Sequence, residues 1–257
     1  MALQFIFGPS GSGKSYYIYN KIIQESMENP DRQYLVLVPE QFTMQTQKEL
    51  VMLHPRKGIM NIDVLSFERL AFRVLEETGA LSQELLEETG KSMVLRKVAQ
   101  EKKGELKLLG SKMNKQGYVS QLKSMVSELR QYEIGAEDLD RLLEDIKDKP
   151  ELFYKLKDIQ TLYKCFFDYL EGKFITQEEI LDVLAQRAEQ SEKLRDSTVV
   201  LDGYTGFTPI QIQVLEKLLK ICRQVYIPLT VGRGEDPYRL GSPYGLFYLT
   251  RQTVHKL

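Results

Sequence analysis

The eight residues Gly8-Pro9-Ser10-Gly11-Ser12-Gly13-Lys14-Ser15 constrain this chain more than any other stretch. They fit G-x-x-x-x-G-K-[ST], a loop that works only with a strand behind it and a helix ahead of it. The reason is mechanical. Glycines let successive backbone N–H groups curl around a phosphate, the lysine reaches the outer phosphates, and the serine hydroxyl ligates Mg2+. The flanks agree with this. Residues 3–7 read as a short buried strand, and residues 16–27 read as a helix whose positive amino end would face the anion. The bland alternative is a glycine-rich turn that binds nothing, and the strand–loop–helix setting speaks against it. Gly8, Pro9, Ser10, Gly11, Ser12, Gly13, Lys14 and Ser15 are therefore the candidate nucleotide-binding residues. Lys14 is also a candidate catalytic group, and Ser15 a candidate Mg2+ ligand.

Beyond the loop the pattern has three zones. Residues 1–78 alternate strand and helix. A breaker at Glu28-Asn29-Pro30-Asp31 precedes the apolar run 34–38, which is too short for a helix and reads as a buried parallel strand ended by Pro39. A helix over 41–53, a turn at 54–58, a strand over 59–65 and a helix over 67–77 with Ser66 as its N-cap complete this zone. Residues 79–196 are almost wholly helical in period, with a single proline, Pro150. Leu122, Met125, Val126 and Leu129 recur at helical spacing, as do Leu152, Leu156, Ile159, Leu162 and Tyr163. Thr176-Gln177-Glu178-Glu179 resembles a capping box. Residues 197–257 return to strand and helix: strands over 197–201 and 225–229, a helix from Pro209 to about 221, a loop at 232–245 and a final helical pattern. The expected fold is α/β: a P-loop, RecA-like parallel sheet flanked by helices, interrupted by a large all-helical subdomain.

Composition excludes several classes. The 257 residues carry a net charge of −1, so no global field draws the chain to nucleic acid or membrane. No apolar run approaches the about 20 residues that span a bilayer. The opening Met-Ala-Leu-Gln has no basic flank, so no signal peptide is expected. Cys165 and Cys222 sit in apolar helical patterns and read as buried thiols, which fits a reducing cytoplasm rather than a disulfide framework. His54 and His255 lack metal-ligand spacing. The helical zone is locally polarised: residues 91–130 hold ten Lys/Arg and three acids, and residues 131–196 hold ten basic and seventeen acidic residues. The basic stretch reads either as a phosphate-contacting surface or as a solvated face balanced by its neighbours.

A P-loop ATPase needs an acid at the end of a neighbouring strand to support the magnesium shell. Asp202, directly after the run Val199-Val200-Leu201, fits that place, and it is a candidate catalytic and metal residue. The alternative is an ordinary strand-ending aspartate before a turn. Active helicase ATPases usually carry a glutamate directly after this aspartate as the base for the attacking water, and here the position is Gly203. Binding would survive that loss better than hydrolysis.

Three segments together carry a resemblance: residues 5–15, the run Leu37-Val38-Pro39-Glu40-Gln41-Phe42-Thr43, and residues 201–211 with Asp202-Gly203-Tyr204-Thr205-Gly206-Phe207 at their centre. The order of elements resembles the first motor domain of UvrD/Rep-type superfamily 1 helicases. More narrowly, these segments resemble the B subunits of bacterial AddAB (RexAB) helicase–nucleases, and residues 63–70 resemble a motif that lies near single-stranded DNA in such motors. The resemblance implies an ATP- and Mg2+-dependent assembly with an AddA-type partner, acting on double- and single-stranded DNA at broken ends in recombinational repair, in the cytoplasm and away from membrane. It implies that this chain is the N-terminal quarter or so of a longer protein. The family's nuclease and its iron–sulfur cluster would lie in the missing C-terminal part. It also implies DNA proximity for Pro39, Gln41, Ser66 and Phe67. Phe67 is equally plausible as a stacking residue or as core. Gln211 falls where a γ-phosphate-sensing glutamine would stand, or is a polar residue on an amphipathic helix. Only seven residues stand before Gly8, where such motors carry an adenine-reading segment, so base recognition is expected to be reduced or to come from elsewhere, and with Gly203 this points to a weak or inactive motor.

Two rivals stand beside this reading. One is a small-molecule or nucleoside kinase of the P-loop class, with the helical zone as its lid and Arg130 and Arg141 as lid arginines. The other is a non-catalytic nucleotide-binding adaptor. Strand order separates the first from a motor. The kinase reading expects the Asp202 strand beside the strand 3–7; the RecA-like reading expects another strand between them.

Overall fold

The computed structural model describes residues 2–79 and 84–257. It divides into two compact units, Met1–Ala80 with Leu181–Leu257, and Leu81–Ile180. Residues 80–83, where the helical zone was expected to begin, lie outside the described residues.

The first unit is built on short apolar strands. In chain order its elements are β1 (Ala2–Gly8), α1 (Lys14–Glu28), β2 (Tyr34–Leu37), a 3-10 turn (Glu40–Phe42), α2 (Thr43–Leu53), β3 (Ile62–Leu65) and α3 (Phe67–Thr78). The strands β2 and β3 are joined by helix α2, and such crossovers force parallel pairing. Ser66 caps α3 by accepting from the Arg69 N–H at 3.3 Å, and Gly79 ends it with φ 65°, in the left-handed region. Three boundaries move from the sequence expectation. The first helix starts at Lys14, because Gly13 takes the left-handed N-cap position and releases Lys14 and Ser15 into the first turn. The expected helix 41–53 opens as the 3-10 turn before α2. The expected strand 59–65 shortens to Ile62–Leu65, since residues 54–61 are mostly turn and bend.

The second unit contains β4 (Glu84–Leu85), α4 (Glu88–Glu101), α5 (Gln116–Gln131), α6 (Ala136–Asp145), α7 (Pro150–Leu170) and β5 (Phe174–Ile175). It is mostly helical, as its periodicity implies, but β4 and β5 pair in parallel as a small sheet that the helical pattern concealed. Its core joins Leu95, Val98, Val119, Leu122, Leu139, Leu162 and Phe166. Two buried charges hold it. Asp158 on α7 accepts from the backbone N–H groups of Lys107, Leu108 and Leu109 at 2.9, 2.7 and 2.8 Å, so it caps an irregular segment that helical bonds do not satisfy. Lys91 on α4 is buried against both oxygens of Glu178, at 3.0 and 2.9 Å. Burial alone would lower its ammonium, but Glu178 and Glu88 outweigh that and hold it above the ordinary lysine value.

The chain returns to the first unit through α8 (Gln177–Arg187), followed by β6 (Thr198–Leu201), α9 (Pro209–Ile221), β7 (Gln224–Thr230) and α10 (Tyr248–Lys256). The strands β1, β7, β6, β2 and β3 form one parallel sheet in that order. The central strands β2 and β6 are buried along their whole length, as their unbroken apolar runs require. On one face α1 lays Ile18, Tyr19, Ile22 and Ile23 against Val36, Val38, Val200 and Tyr226, with Leu50 of α2 alongside. Leu35 points to the other face, where it lines a small cavity with Leu70 and Val74 of α3. The path from β6 to β7 runs opposite to the path from β1 to β2, so right-handed crossover carries α9 to the face opposite α1.

The Asp158 bonds make a stability prediction. Asp158→Ala should cost about 3 kcal/mol, because three backbone donors lose their acceptor together. Asp158→Asn, which keeps one acceptor oxygen, should cost less. Chemical denaturation followed by circular dichroism reads both; equal midpoints for Asp158→Ala and the unaltered chain would refute the role.

Candidate nucleotide site

The strands of the large sheet are all parallel, so their carboxyl ends share one edge, where open α/β sheets bind ligands. That edge gathers the loop after β1, Pro39 to Phe42 after β2, Ser66 and Phe67 after β3, and Asp202 and Gly203 after β6. The Val231 N–H donates to the Gly8 carbonyl at 3.2 Å, the Asp202 N–H to Leu37 at 3.0 Å and the Val38 N–H to Leu65 at 3.0 Å, so the pairing is carried past the last strand residues into the edge itself.

The loop has the backbone its glycines permit. Gly11 and Gly13 have φ 73° and 81°, and a Cβ at Gly8 would lie 2.5 Å from the Ser12 hydroxyl. Gly11 and Gly13 favour glycine for their left-handed backbone, whereas a Cβ at Gly8 would require only that the Ser12 hydroxyl turn aside. Ser12 N–H closes a turn onto Pro9 at 3.2 Å, and Tyr17 N–H donates to Gly13 at 2.9 Å as the helix begins. Lys14 Nζ donates to the carbonyls of Gly8 and Pro9, at 3.0 and 2.9 Å, and so lies along the inside of the loop. Burial lowers its ammonium from the ordinary lysine value, while the Asp202 carboxylate pulls the other way. Ser10 is exposed and Ser15 half-buried in the first turn of α1.

Asp202 is buried. One strand, β7, separates its strand from β1, which is about 10 Å by ordinary strand spacing. Tyr19 on α1 reaches the carboxylate, donating to Oδ2 at 2.7 Å. The Tyr19 hydroxyl is pushed well above the ordinary tyrosine value by burial first and by Asp202 second, so it stays protonated and acts as a donor. Sequence reasoning missed Tyr19. Its signal was there, four residues after Ser15 and one helical turn along the same stripe, but only packing shows which partner it meets. Loop curl, Lys14, Ser15 and Asp202 form a donor set that fits a nucleotide phosphate chain with Mg2+.

The other expected site residues are placed less favourably. Gln211 Oε1 accepts from the Thr208 N–H at 3.0 Å, so its side chain is engaged in capping α9. Ser66 is buried and spent on the α3 cap. Phe67 is 4% exposed and packs edge-on against Tyr204 and Phe207 at 5.6 and 6.4 Å, which makes it core. Gln41 is exposed and Pro39 half-buried. The aromatic ring that does face out from this edge is Phe42, 41% exposed. The basic stretch 91–130 belongs to the second unit and is largely committed there. Lys91 is buried, Lys102 pairs with Glu105 at 2.8 Å and Lys123 with Glu88 at 2.7 Å. Lys97, Lys107 and Lys112 stand over tyrosine rings. Arg141 pairs with Asp138 at 3.4 Å.

The cysteines fall one in each unit. Burial raises the Cys222 thiol to about 11, and its neighbour is the Ser197 hydroxyl. Two separated thiols do not fit an iron–sulfur cluster. No helix among the described residues is long and apolar enough to cross a membrane.

Comparison with known proteins adds to this geometry. A family described as "ADDB, N-terminal" matches residues 5–257. A protein of Lachnoclostridium phytofermentans, named as the B subunit of an ATP-dependent helicase/deoxyribonuclease, is 47% identical over 257 residues, all of this chain and 22% of the relative. Proteins of the same name from Clostridium tetani and Geobacillus kaustophilus are 36% and 35% identical over 259 and 266 residues, again covering all of the chain and 22% of each relative. The chain thus spans 22% of the length of these relatives.

Gly203 sits at φ 80°, and a Cβ there would lie 3.4 Å from Pro39 Cδ. Its space is ordinary but its backbone is left-handed. Gly203→Ala and Gly203→Glu should each lose about 1–2 kcal/mol of stability from that conformation alone. Urea denaturation tests this; an unchanged midpoint would mean that the turn does not require glycine.

Proposed function

Because the chain belongs to the AddB N-terminal family, we propose that it forms an ATP–Mg2+-binding, RecA-like domain within the B subunit of an ATP-dependent helicase/deoxyribonuclease. The observation that carries the RecA-like part is the strand order. β7 lies between β1, which leads into the loop, and β6, which ends at Asp202. A motor-type sheet expects that intervening strand, whereas the kinase reading expects the two strands side by side. In this reading Gly8 to Gly13 cradle phosphates, Lys14 contacts the outer phosphates, and Ser15 and Asp202 support the magnesium shell. The ion would neutralise phosphate charge and orient the terminal group.

The domain is proposed to bind nucleotide and to turn it over slowly. Gly203 offers no carboxylate beside Asp202 to orient water, and its left-handed backbone disfavours acquiring one. The work of the assembly, unwinding and trimming double-strand ends for recombinational repair, would then rest on an AddA-type partner and on the rest of the AddB protein. The nuclease and the iron–sulfur cluster are assigned to those other parts, and the setting to the cytoplasm. Single-stranded DNA would run along the carboxyl edge of the sheet, past Pro39, Gln41 and Phe42.

Equilibrium binding of a fluorescent ATP analogue tests the nucleotide reading. Lys14→Ala should weaken it about 10- to 100-fold, the size of one or two hydrogen bonds to a charged group; equal affinity would overturn the reading. The DNA edge has its own test. Phe42→Ala should weaken single-stranded DNA binding about fivefold or more with no change in melting temperature, because a stacked base is worth about 1–3 kcal/mol. Phe67→Ala should instead lower the melting temperature. A Phe42→Ala chain with unaltered DNA affinity would remove the ring from the path.

A further inference from the structure

Asp202 is a buried carboxylate, and a buried charge needs partners. Among the described residues one side chain donates to it, the Tyr19 hydroxyl at 2.7 Å. Tyr19 is itself buried, and its ring packs in the core between α1 and the sheet. Thr46 of α2, also buried, neighbours the same tyrosine hydroxyl. Tyr19 and Asp202 thus tie α1 to the end of β6, with Thr46 of α2 beside the tyrosine. Tyr19 stands one helical turn beyond Ser15, so the helix that presents the serine to the metal also carries the group that grips the aspartate.

We infer that Tyr19 is a positioning residue for the magnesium site, holding Asp202 Oδ2 so that the second carboxylate oxygen keeps one direction toward the ion. The inference rests on the reading of residues 8–15 as an ATP site and adds to it a residue outside the motif. A free aspartate side chain samples several rotamers, and an ion held partly through water tolerates little misplacement. Fixing one oxygen by a hydrogen bond at 2.7 Å removes that freedom. The same bond links the two halves of the site.

A purely structural tyrosine would also satisfy its hydroxyl on a nearby carboxylate, so the test must separate support of the fold from support of the ion. Isothermal titration calorimetry of ATP is run on the 257-residue chain in excess EDTA and in millimolar MgCl2. In the unaltered chain Mg2+ should tighten ATP binding. Tyr19→Phe keeps the ring and removes the donor; it should leave the EDTA affinity unchanged and cut the Mg2+-dependent gain by about five- to tenfold, the worth of one charge-assisted hydrogen bond. Thr46→Val should cut it by less. Asp202→Asn should abolish the gain, and Tyr19→Phe added to Asp202→Asn should cause no further loss, because the two act as one unit. A Tyr19→Phe chain with the full Mg2+ gain would overturn the inference. So would a chain that weakens ATP equally in EDTA and in Mg2+, or one whose loss persists beside Asp202→Asn. If the unaltered chain binds no ATP at all, the nucleotide reading itself falls, a result distinct from any of these.

Discussion

Parallel strand pairing is the constraint on which the rest of the first unit depends. Because β1, β7, β6, β2 and β3 all run the same way, every strand delivers its following loop to one edge. Residues far apart in sequence, Lys14 and Asp202 among them, meet there without needing any direct contact to bring them together. The pairing in turn requires the strands to be buried on both faces. That requirement is visible in β2 and β6, whose residues are buried without exception, and in the helices that cover them. The site is therefore a by-product of core formation: apolar runs choose their neighbours, and the polar residues at their ends are carried into register.

How much of this was legible follows from how local each signal is. The phosphate loop was readable because its requirements are local. Left-handed backbone at Gly11 and Gly13 leaves few residue choices, and the sequence shows them. The β2 and β6 runs were readable for the same reason. The strand order was not, because nothing in a short apolar run says which neighbour it takes. The pair β4 and β5 was hidden because strands so short give no periodicity against a helical background. At the site, Asp202 was found by its place after a strand, while Tyr19 and the exposure of Phe42 depended on packing. Ser66, Phe67 and Gln211 show the converse. Their residue types suited DNA or nucleotide contact, yet each is used locally, in a cap, in an aromatic core and in a second cap.

The same contrast applies to the charges in the second unit. A net excess of lysine and arginine over residues 91–130 invites a phosphate-binding surface when counted along the chain. Folding changes the count. Lys91 is sealed against Glu178, Lys102 and Lys123 face carboxylates, and three further lysines lie over tyrosine rings. Exposed ion pairs contribute little stability, but each carboxylate offsets the charge of its lysine, whereas the neutral tyrosine rings leave theirs in place. Net charge by segment is a property of sequence; the field at a surface is a property of which partners fold within a few ångströms.

Charge also limits what the nucleotide edge can do. Lys14 and Asp202 lie close enough for each to feel the other, and together they make a nearly neutral site. A triphosphate brings about four negative charges into that site, and Asp202 adds one more that repels them. Lys14 offsets only one, and to do so it must exchange its two bonds with loop carbonyls for phosphate oxygens. In the proposed reading, binding would therefore depend on a divalent cation that turns the aspartate from a repulsive neighbour into a ligand. How well it would make that change depends on where its oxygens point, and one of them is held by Tyr19, on the same helix as Ser15. Under the proposed reading, a loop of this kind with its aspartate held, but with glycine in place of a base, would hold nucleotide rather than consume it.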